Sequence, residues 1–361
     1  MVYDWLKAAT GAQSCTLFLA DYNEQSLESV PGLGSSAVTG SQLVDTSAAG
    51  DAYRQQQALE FRDHGALVVY VPITVRAERL GVLEVGLGEA SARIDPVLLE
   101  AAQVLGYVLV AARRYTDRFE RIRRRRVLEL PAEIQWELLP VLAYDCNEYA
   151  VAGSLEPAYQ IGGDTFDYAV SPTSLTVAIT DAMGHGLRSA VLASLAITAM
   201  RNVRRRGDGV VEQANEAGQH IHAQFGGDAF VTANLFRFDV PSGHGVVVNA
   251  GHQRPILLRR GAVQLIEIAP DLPLGIFGDT AYRSHHVSVE PGDRLLLLSD
   301  GLSDARPVGG APFGDTRLAE LLLASGDLQP PEVVRLLTKA AIDHRAGQLQ
   351  DDATAVCLDW R

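Results

Sequence analysis

Two apolar, β-prone runs each end on an aspartate followed by flexible backbone, and no other feature limits the fold so tightly. Leu175–Thr180 delivers Asp181 to its end. A turn bracketed by Gly184 and Gly186 follows, and then an apolar helical signal from about Leu187 to Val203. Arg294–Leu298 repeats the arrangement, ending at Ser299-Asp300-Gly301, and Gln350-Asp351-Asp352 precedes a last apolar run. A carboxylate at the end of a buried strand suits a hard cation, which takes side-chain and carbonyl oxygens alike. With Ile161-Gly162-Gly163-Asp164 upstream, the pattern predicts that Asp residues far apart in the chain converge on one metal centre.

Length and charge exclude several alternatives. The 361 residues suit two domains, each able to bury a core. A net charge of −13 argues against a general nucleic-acid binder. No early apolar run has the shape of a signal peptide, and none reaches the roughly 20 residues of a membrane span. Cys15, Cys146 and Cys357 are odd in number and match no zinc spacing, so they read as reduced, buried thiols. The expected location is the cytoplasm, with no membrane partner.

Residues 1–115 read as a small α/β domain. Met1–Thr10 predicts a short helix and Ser14–Ala20 a strand, while Pro31–Gly50 carries little pattern. Ala66–Ile73 and Leu80–Leu87 predict a hairpin around Arg76–Arg79. Asp95-Pro96 opens a helix in which Val97, Leu98, Ala101, Val104, Leu105, Val108 and Leu109 recur at helical spacing. Residues 116–130 extend it as a helical linker. There Leu105, Val108, Ala112, Tyr115, Phe119, Ile122 and Leu130 fall near one face, which predicts a homodimer through the linker. Arg123–Arg126 reads as a solvated helix face, or else as a contact for nucleic acid or acidic lipid.

Residues 131–361 are rich in strands. Phe230–Val240 meets Gly245–Asn249 across Pro241–Gly243, and Pro255–Leu258 meets Ala262–Ile268. Helices are expected at Leu187–Arg206, Gly209–Phe225, Thr316–Ala324 and Pro330–Arg345. This is an α+β pattern of antiparallel sheets packed face to face and covered by helices.

The N-terminal order resembles a GAF domain, a sensory module. The resemblance lies in the strand after Gly11-Ala12, the pair Val71-Pro72-Ile73 and Arg79–Leu83, and the closing helix. It implies a GAF-like domain that binds a small-molecule or protein signal. A ligandless dimerisation module is the other reading.

The C-terminal domain resembles the metal-dependent PPM (PP2C-like) serine/threonine phosphatases, in particular their RsbU/SpoIIE-type branch. The resemblance rests on Gly162-Gly-Asp164, Asp167, Asp181-Ala-Met-Gly-His-Gly186, Phe230-Val-Thr232 and Asn249-Ala-Gly-His-Gln-Arg-Pro255. Leu274-Gly275, Pro291-Gly-Asp293, Ser299-Asp-Gly-Leu-Ser-Asp304, Phe313-Gly314 and Asp351-Asp-Ala-Thr354 continue it in order. It implies a PP2C-like α-β-β-α sandwich holding two Mn²⁺ or Mg²⁺ ions. It also implies hydrolysis of phosphoserine or phosphothreonine on a partner protein carrying a STAS domain, an anti-sigma-factor antagonist.

The chemistry explains these residue types. Phosphomonoesters hydrolyse very slowly unaided, and paired cations about 3.5–4 Å apart lower the pKa of a shared water and neutralise developing charge. By resemblance, Asp181 bridges the ions, the Ala182 carbonyl and Asp164 complete one side, and Asp300 and Asp351 hold the other. Asp352 and Asp167 are outer-shell groups or ligands of an extra ion. His185 either protonates the leaving oxygen or hydrogen-bonds a water on the metal. His252, in a turn motif, reads as structural or as support behind the ligands. His285 and His286 read as surface or packing residues.

Ser299 and Asp304 replace a common Thr and Glu, and each keeps an oxygen in place. The early phosphate-binding Arg of eukaryotic relatives has no visible counterpart. The rival reading, a regulatory binding protein on an inactive phosphatase fold, would show as missing ligands, and all four expected Asp are present. Cyclic-dinucleotide synthesis is hinted at only by Gly162-Gly-Asp164, which Thr165-Phe166 follows in place of Glu-Phe.

Overall fold

The computed structural model describes residues 2–32, 40–63, 66–87, 96–156, 162–305, 313–345 and 352–361. Asp95, Ile161 and Asp351, which figure in the sequence reading, lie outside the described residues. The chain divides into two compact units, Met1–Val127 and Leu128–Arg361.

In the first unit, α1 (Val2–Thr10) leads into β1 (Ser14–Ala20), β2 (Ser26–Ser29) and β3 (Ser41–Leu43). Then come α2 (Ala48–Gln55), β4 (Leu59–Asp63), β5 (Ala66–Val75), β6 (Glu78–Leu87), α3 (Pro96–Ala112) and α4 (Arg118–Arg123). The strands form one antiparallel sheet in the order β3-β2-β1-β6-β5-β4. Alternation along β1 sends Cys15, Leu17 and Leu19 to a core shared with Leu98, Ala102 and Leu105 of α3. It sends Phe18 and Ala20 to a smaller core with Tyr53 of α2. The β5–β6 hairpin turns through Arg76 and Ala77, both at positive φ, the twist that suits a two-residue hairpin loop.

Two expectations for this unit need correction. The stretch Pro31–Gly50, which carries little pattern, holds β3 and the start of α2, whose N-terminus is capped by the Ser47 hydroxyl accepting from the Gly50 N–H at 3.0 Å. The helix expected to run to Leu130 stops at Ala112, resumes only over α4, and is non-helical from Arg124 to Glu129. The Thr116 hydroxyl accepts from the Arg118 N–H at 3.2 Å, a local bond that competes with helix continuation. The proposed stripe is split as well. Phe119 and Ile122 pack onto the unit's own core, whereas Tyr115 is 88% exposed and Val108 faces solvent.

The basic run is held in part inside the same unit, while Arg125 and Arg126 stay exposed, as a solvated face requires. Arg123 donates to the Ala20 carbonyl at 2.9 Å and lies over the Tyr22 ring at 4.8 Å, and Arg125 meets Glu28 at 3.7 Å.

The second unit opens with α5 (Leu130–Leu138), β7 (Ala143–Asp145), β8 (Tyr149–Glu156), β9 (Asp164–Val170) and β10 (Ser174–Ala182). It continues with α6 (Leu187–Arg205), α7 (Val210–Phe225), β11 (Val231–Asp239), β12 (His244–Ala250), β13 (Ile256–Arg259) and β14 (Ala262–Leu265). β15 (His285–Ser288), β16 (Arg294–Leu298), α8 (Asp300–Ser303), α9 (Gly314–Ala324), α10 (Pro330–His344) and β17 (Ala353–Trp360) complete it. Two antiparallel sheets result, β15-β12-β11-β10-β9 and β14-β13-β16-β17-β8-β7.

Period-2 alternation sorts the layers. On the outer face of the first sheet, Ala178, Ala182, Ala233 and Leu235 pack against Leu192, Ala196 and Met200 of α6 and Ala214 of α7. α10 covers the second sheet, with Thr338 hydrogen-bonded to Ser154 of β8 at 3.0 Å. Between the sheets, Phe166, Val177, Ile179, Phe236 and Phe238 meet Leu295, Leu297, Val356 and Trp360. The expected α-β-β-α sandwich is what forms.

That apolar filling gives way to oxygen-bearing groups at one end. Along the same inward rows Ile179 is followed by Asp181, Phe166 is preceded by Asp164, and Phe236 is preceded by Asn234 and Thr232. From the opposite sheet, Leu297 leads to Ser299, and Val356 is preceded by Thr354 and Asp352.

Candidate metal centre

Strand register brings the first carboxylates together. Asp181 of β10 is the cross-strand partner of Asp164 on one side and of Thr232 on the other, so all three side chains share one face. Asp352 arrives from the second sheet. Its carboxylate accepts from the Gly162 N–H at 2.7 and 2.6 Å and from the Asp164 N–H at 3.2 Å. Asp164 and Asp352 are buried, and Asp164 Oδ2 makes no well-formed hydrogen bond, with the Ser299 and Thr354 hydroxyls as polar neighbours.

Burial, together with the negative charges of Asp181 and Asp352, pushes the Asp164 carboxyl well above the usual carboxylate range. A poorly bonded buried oxygen among like charges is what a cation would relieve. The donor set of carboxylate, hydroxyl and carbonyl oxygens fits Mg²⁺ or Mn²⁺. Among the described residues no three His, Cys, Asp or Glu side chains stand close enough together to hold a metal ion as they are.

The end of β10, which carries Ala182, is packed against the Gly162–Asp164 segment. The Ala182 N–H donates to the Gly163 carbonyl at 3.2 Å, and a Cβ on Gly163 would stand 2.2 Å from the Ala182 oxygen. Only glycine allows that approach. Ser189 of α6 reaches the Gly162 carbonyl at 2.8 Å, and buried Gln135 of α5 donates to it at 3.4 Å. Neither residue was singled out from the sequence, because a lone Ser or Gln on a helix carries no spacing signal.

Asp300 opens α8, between Ser299 and Gly301. Ser299 pairs with Thr354 through backbone and side chain, its N–H to the Thr354 carbonyl and the Thr354 N–H to its Oγ, both 2.9 Å. A Cβ on Gly301 would stand 1.7 Å from the Asp352 carbonyl oxygen. The β16 end and the Asp352 segment are therefore in direct contact. Asp351 lies outside the described residues.

His185 sits on the exposed turn between Gly184 and Gly186, both at positive φ, ahead of α6. Asp167 stands three residues from Asp164 and so faces the other way, toward α6. There it meets Arg201 and Arg204 at 2.8 Å each. Its charge serves helix-to-sheet attachment, and the reading of Asp167 as an outer-shell or extra-ion group is withdrawn. His252 is buried, with Nδ1 2.7 Å from Thr232 Oγ1 and Nε2 3.1 Å from the Leu298 carbonyl. His285 and His286 lie on edge strand β15, away from these groups.

A model of the family described as Stage II sporulation protein E (SpoIIE) matches residues 171–361, more than half of the chain. The chain belongs to the SpoIIE family. The SpoIIE match takes in Asp181, Asp300 and Asp351 and begins after Asp164. The chain is similar to protein IcfG of Synechocystis sp., 24% identical over 263 residues that make up 65% of this chain and 41% of that protein. It is also similar to phosphoserine phosphatase RsbU of Bacillus subtilis, 22% identical over 259 residues, 71% of this chain and 76% of that one. This SpoIIE-family chain thus spans less than half the length of IcfG. Its fold is shared with the SiaA-PP2C domain of Pseudomonas aeruginosa, at TM-score 0.54 and 20% identity over 64% of this chain and 94% of that one. Among the described residues no helix is long and apolar enough to cross a membrane.

Proposed function

We propose that the chain is a metal-dependent protein phosphatase acting on phosphoserine or phosphothreonine of a regulatory protein. The observation that carries this reading is the gathering of Asp164, Asp181 and Asp352 at the polar end of the inter-sheet space, with a buried oxygen on Asp164 that makes no well-formed hydrogen bond. The similarity to phosphoserine phosphatase RsbU supports it.

Asp164, Asp181, the Ala182 carbonyl, Asp300 and Asp351 would hold two Mn²⁺ or Mg²⁺ ions. Bound there, such ions supply a water of lowered pKa and positive charge opposite the phosphoryl oxygens. The chain's own residues do the rest. Asp352 fixes the loop that presents Asp164, and Gly163 lets that loop close on Ala182. His185, exposed on its turn, would give a proton to the leaving serine oxygen.

The substrate class is a phosphorylated STAS-domain protein, an anti-sigma-factor antagonist. The first unit, which we read as a GAF-like sensor, receives a small-molecule or protein signal and biases the second through residues 116–130. Removal of residues 1–115 should change Mn²⁺ affinity, and identical affinities would remove that coupling.

The direct test incubates the full chain with phosphorylated STAS proteins and with p-nitrophenyl phosphate, in Mn²⁺ and in chelator. Metal-dependent phosphate release, lost in Asp181→Asn and Asp300→Asn, is expected. Equal release from wild type and both variants would place the chemistry elsewhere.

A further inference from the structure

The two halves of the candidate centre stand on different sheets, so something must hold their separation. Asp164 and Asp181 ride on β9 and β10, and Asp300 follows β16. Asp352 ties β9 to the second sheet from one side. On the other side of β10 stands β11, whose Thr232 is the register partner of Asp181. There the ring of His252 spans the gap, one nitrogen on Thr232 and the other on the carbonyl of Leu298, two residues before Asp300.

The partners dictate where the protons lie. The Leu298 carbonyl can only accept, so Nε2 carries the hydrogen, and Nδ1 accepts from the Thr232 hydroxyl. Burial lowers the His252 pKa to about 4, which keeps this neutral form at ordinary pH.

The backbone around the ring is clamped as well. The His252 N–H donates to Asn249 Oδ1 at 2.8 Å, and Asn249 Nδ2 donates to the His252 carbonyl at 3.1 Å. Asn234, the register partner of Asn249, donates to the Gln253 carbonyl at 2.6 Å. A ring held at both nitrogens, on a residue whose own N–H and carbonyl are also bonded, has little freedom to follow a sheet that moves. The strand bearing Asp181 is thereby fixed between two cross-sheet ties.

We infer that His252 is a positioning residue that sets the distance between the Asp181 strand and the Asp300 turn, and so sets metal affinity without touching an ion. This rests on the reading of the Asp group as a metal centre. Residues that orient ligands from behind them commonly change affinity 10–100-fold when lost.

The test is calorimetric titration of the full chain with Mn²⁺, alongside thermal melting in chelator. The variants are Thr232→Val, which removes the hydroxyl at nearly constant volume, Thr232→Ser, which restores it, and His252→Gln. Asp181→Asn serves as the control for the centre itself. Thr232→Val and His252→Gln should bind Mn²⁺ at least about tenfold more weakly at temperatures where both are folded, and Thr232→Ser should bind within about twofold of wild type. If His252→Gln fails to fold, the Val/Ser pair decides alone. Lower melting temperatures with Mn²⁺ affinity unchanged would reduce the bridge to ordinary stabilisation and overturn the inference, as would Ser weakening binding as much as Val. Absence of Mn²⁺ binding by wild type would instead remove the metal reading, a distinct result.

Discussion

Asp352 holds the Gly162 N–H across 190 residues of chain, with its two carboxylate oxygens 2.7 and 2.6 Å away. One side chain thus closes the second sheet onto the loop that presents Asp164. An amide at this position would keep one acceptor and set an NH₂ group against the backbone donors. Asp352→Asn should lose about 2 kcal/mol of stability in chelator, read from denaturant unfolding. A loss below about 0.5 kcal/mol would mean that the loop holds itself.

Asp167 offers the converse. Its ion pairs with Arg201 and Arg204 are partly shielded from water, and its removal leaves two guanidinium groups short of a partner. Asp167→Asn should lower the melting temperature while Mn²⁺ affinity stays within about twofold of wild type. A tenfold loss of affinity would return Asp167 to the metal centre.

Gly163 makes a steric prediction. A methyl group there must displace the Ala182 carbonyl, an oxygen that the proposed centre uses. Gly163→Ala should cut Mn²⁺-dependent hydrolysis at least about tenfold, since small misplacements at a reacting centre are costly. Unchanged turnover would show that the Ala182 oxygen has no part in the chemistry.

The pH dependence of stability follows from His252. Its folded pKa, lowered by burial to about 4, lies below the usual value near 6.5. The unfolded chain therefore binds the extra proton first. The stabilisation is complete above about pH 6.5 and is lost as pH falls toward 4, a change of about 3 kcal/mol. Wild type minus His252→Gln, measured by unfolding from pH 7.5 to 4, should show this slope. A pH-independent difference would mean that the imidazole titrates normally.

Much of the second unit was legible because period-2 alternation and turn residues agree along β9–β14. The same alternation would have set Asp167 apart from Asp164, since an odd spacing on a strand means opposite faces. Its partners, Arg201 and Arg204, lie on a helix more than thirty residues away, and nothing local announces them. Thr232 and His252 each stood in a motif, but their pairing depends on how two strands and a turn meet. In the first unit the linker misled for a physical reason. Apolar residues at helical spacing over Leu105–Ile122 were read as one stripe, whereas the break at 113–117 returns Phe119 and Ile122 to the unit's own core.

The central claim is that carboxylates from separate strands act together through divalent ions to cleave a phosphomonoester. The most direct measurement is phosphate release from a phosphoserine substrate by wild type, Asp181→Asn and Asp300→Asn, with Mn²⁺ and with EDTA. The account predicts release by wild type only in Mn²⁺, and a loss of at least about a hundredfold in either variant. Release that persists in EDTA, or that both variants retain, would contradict it.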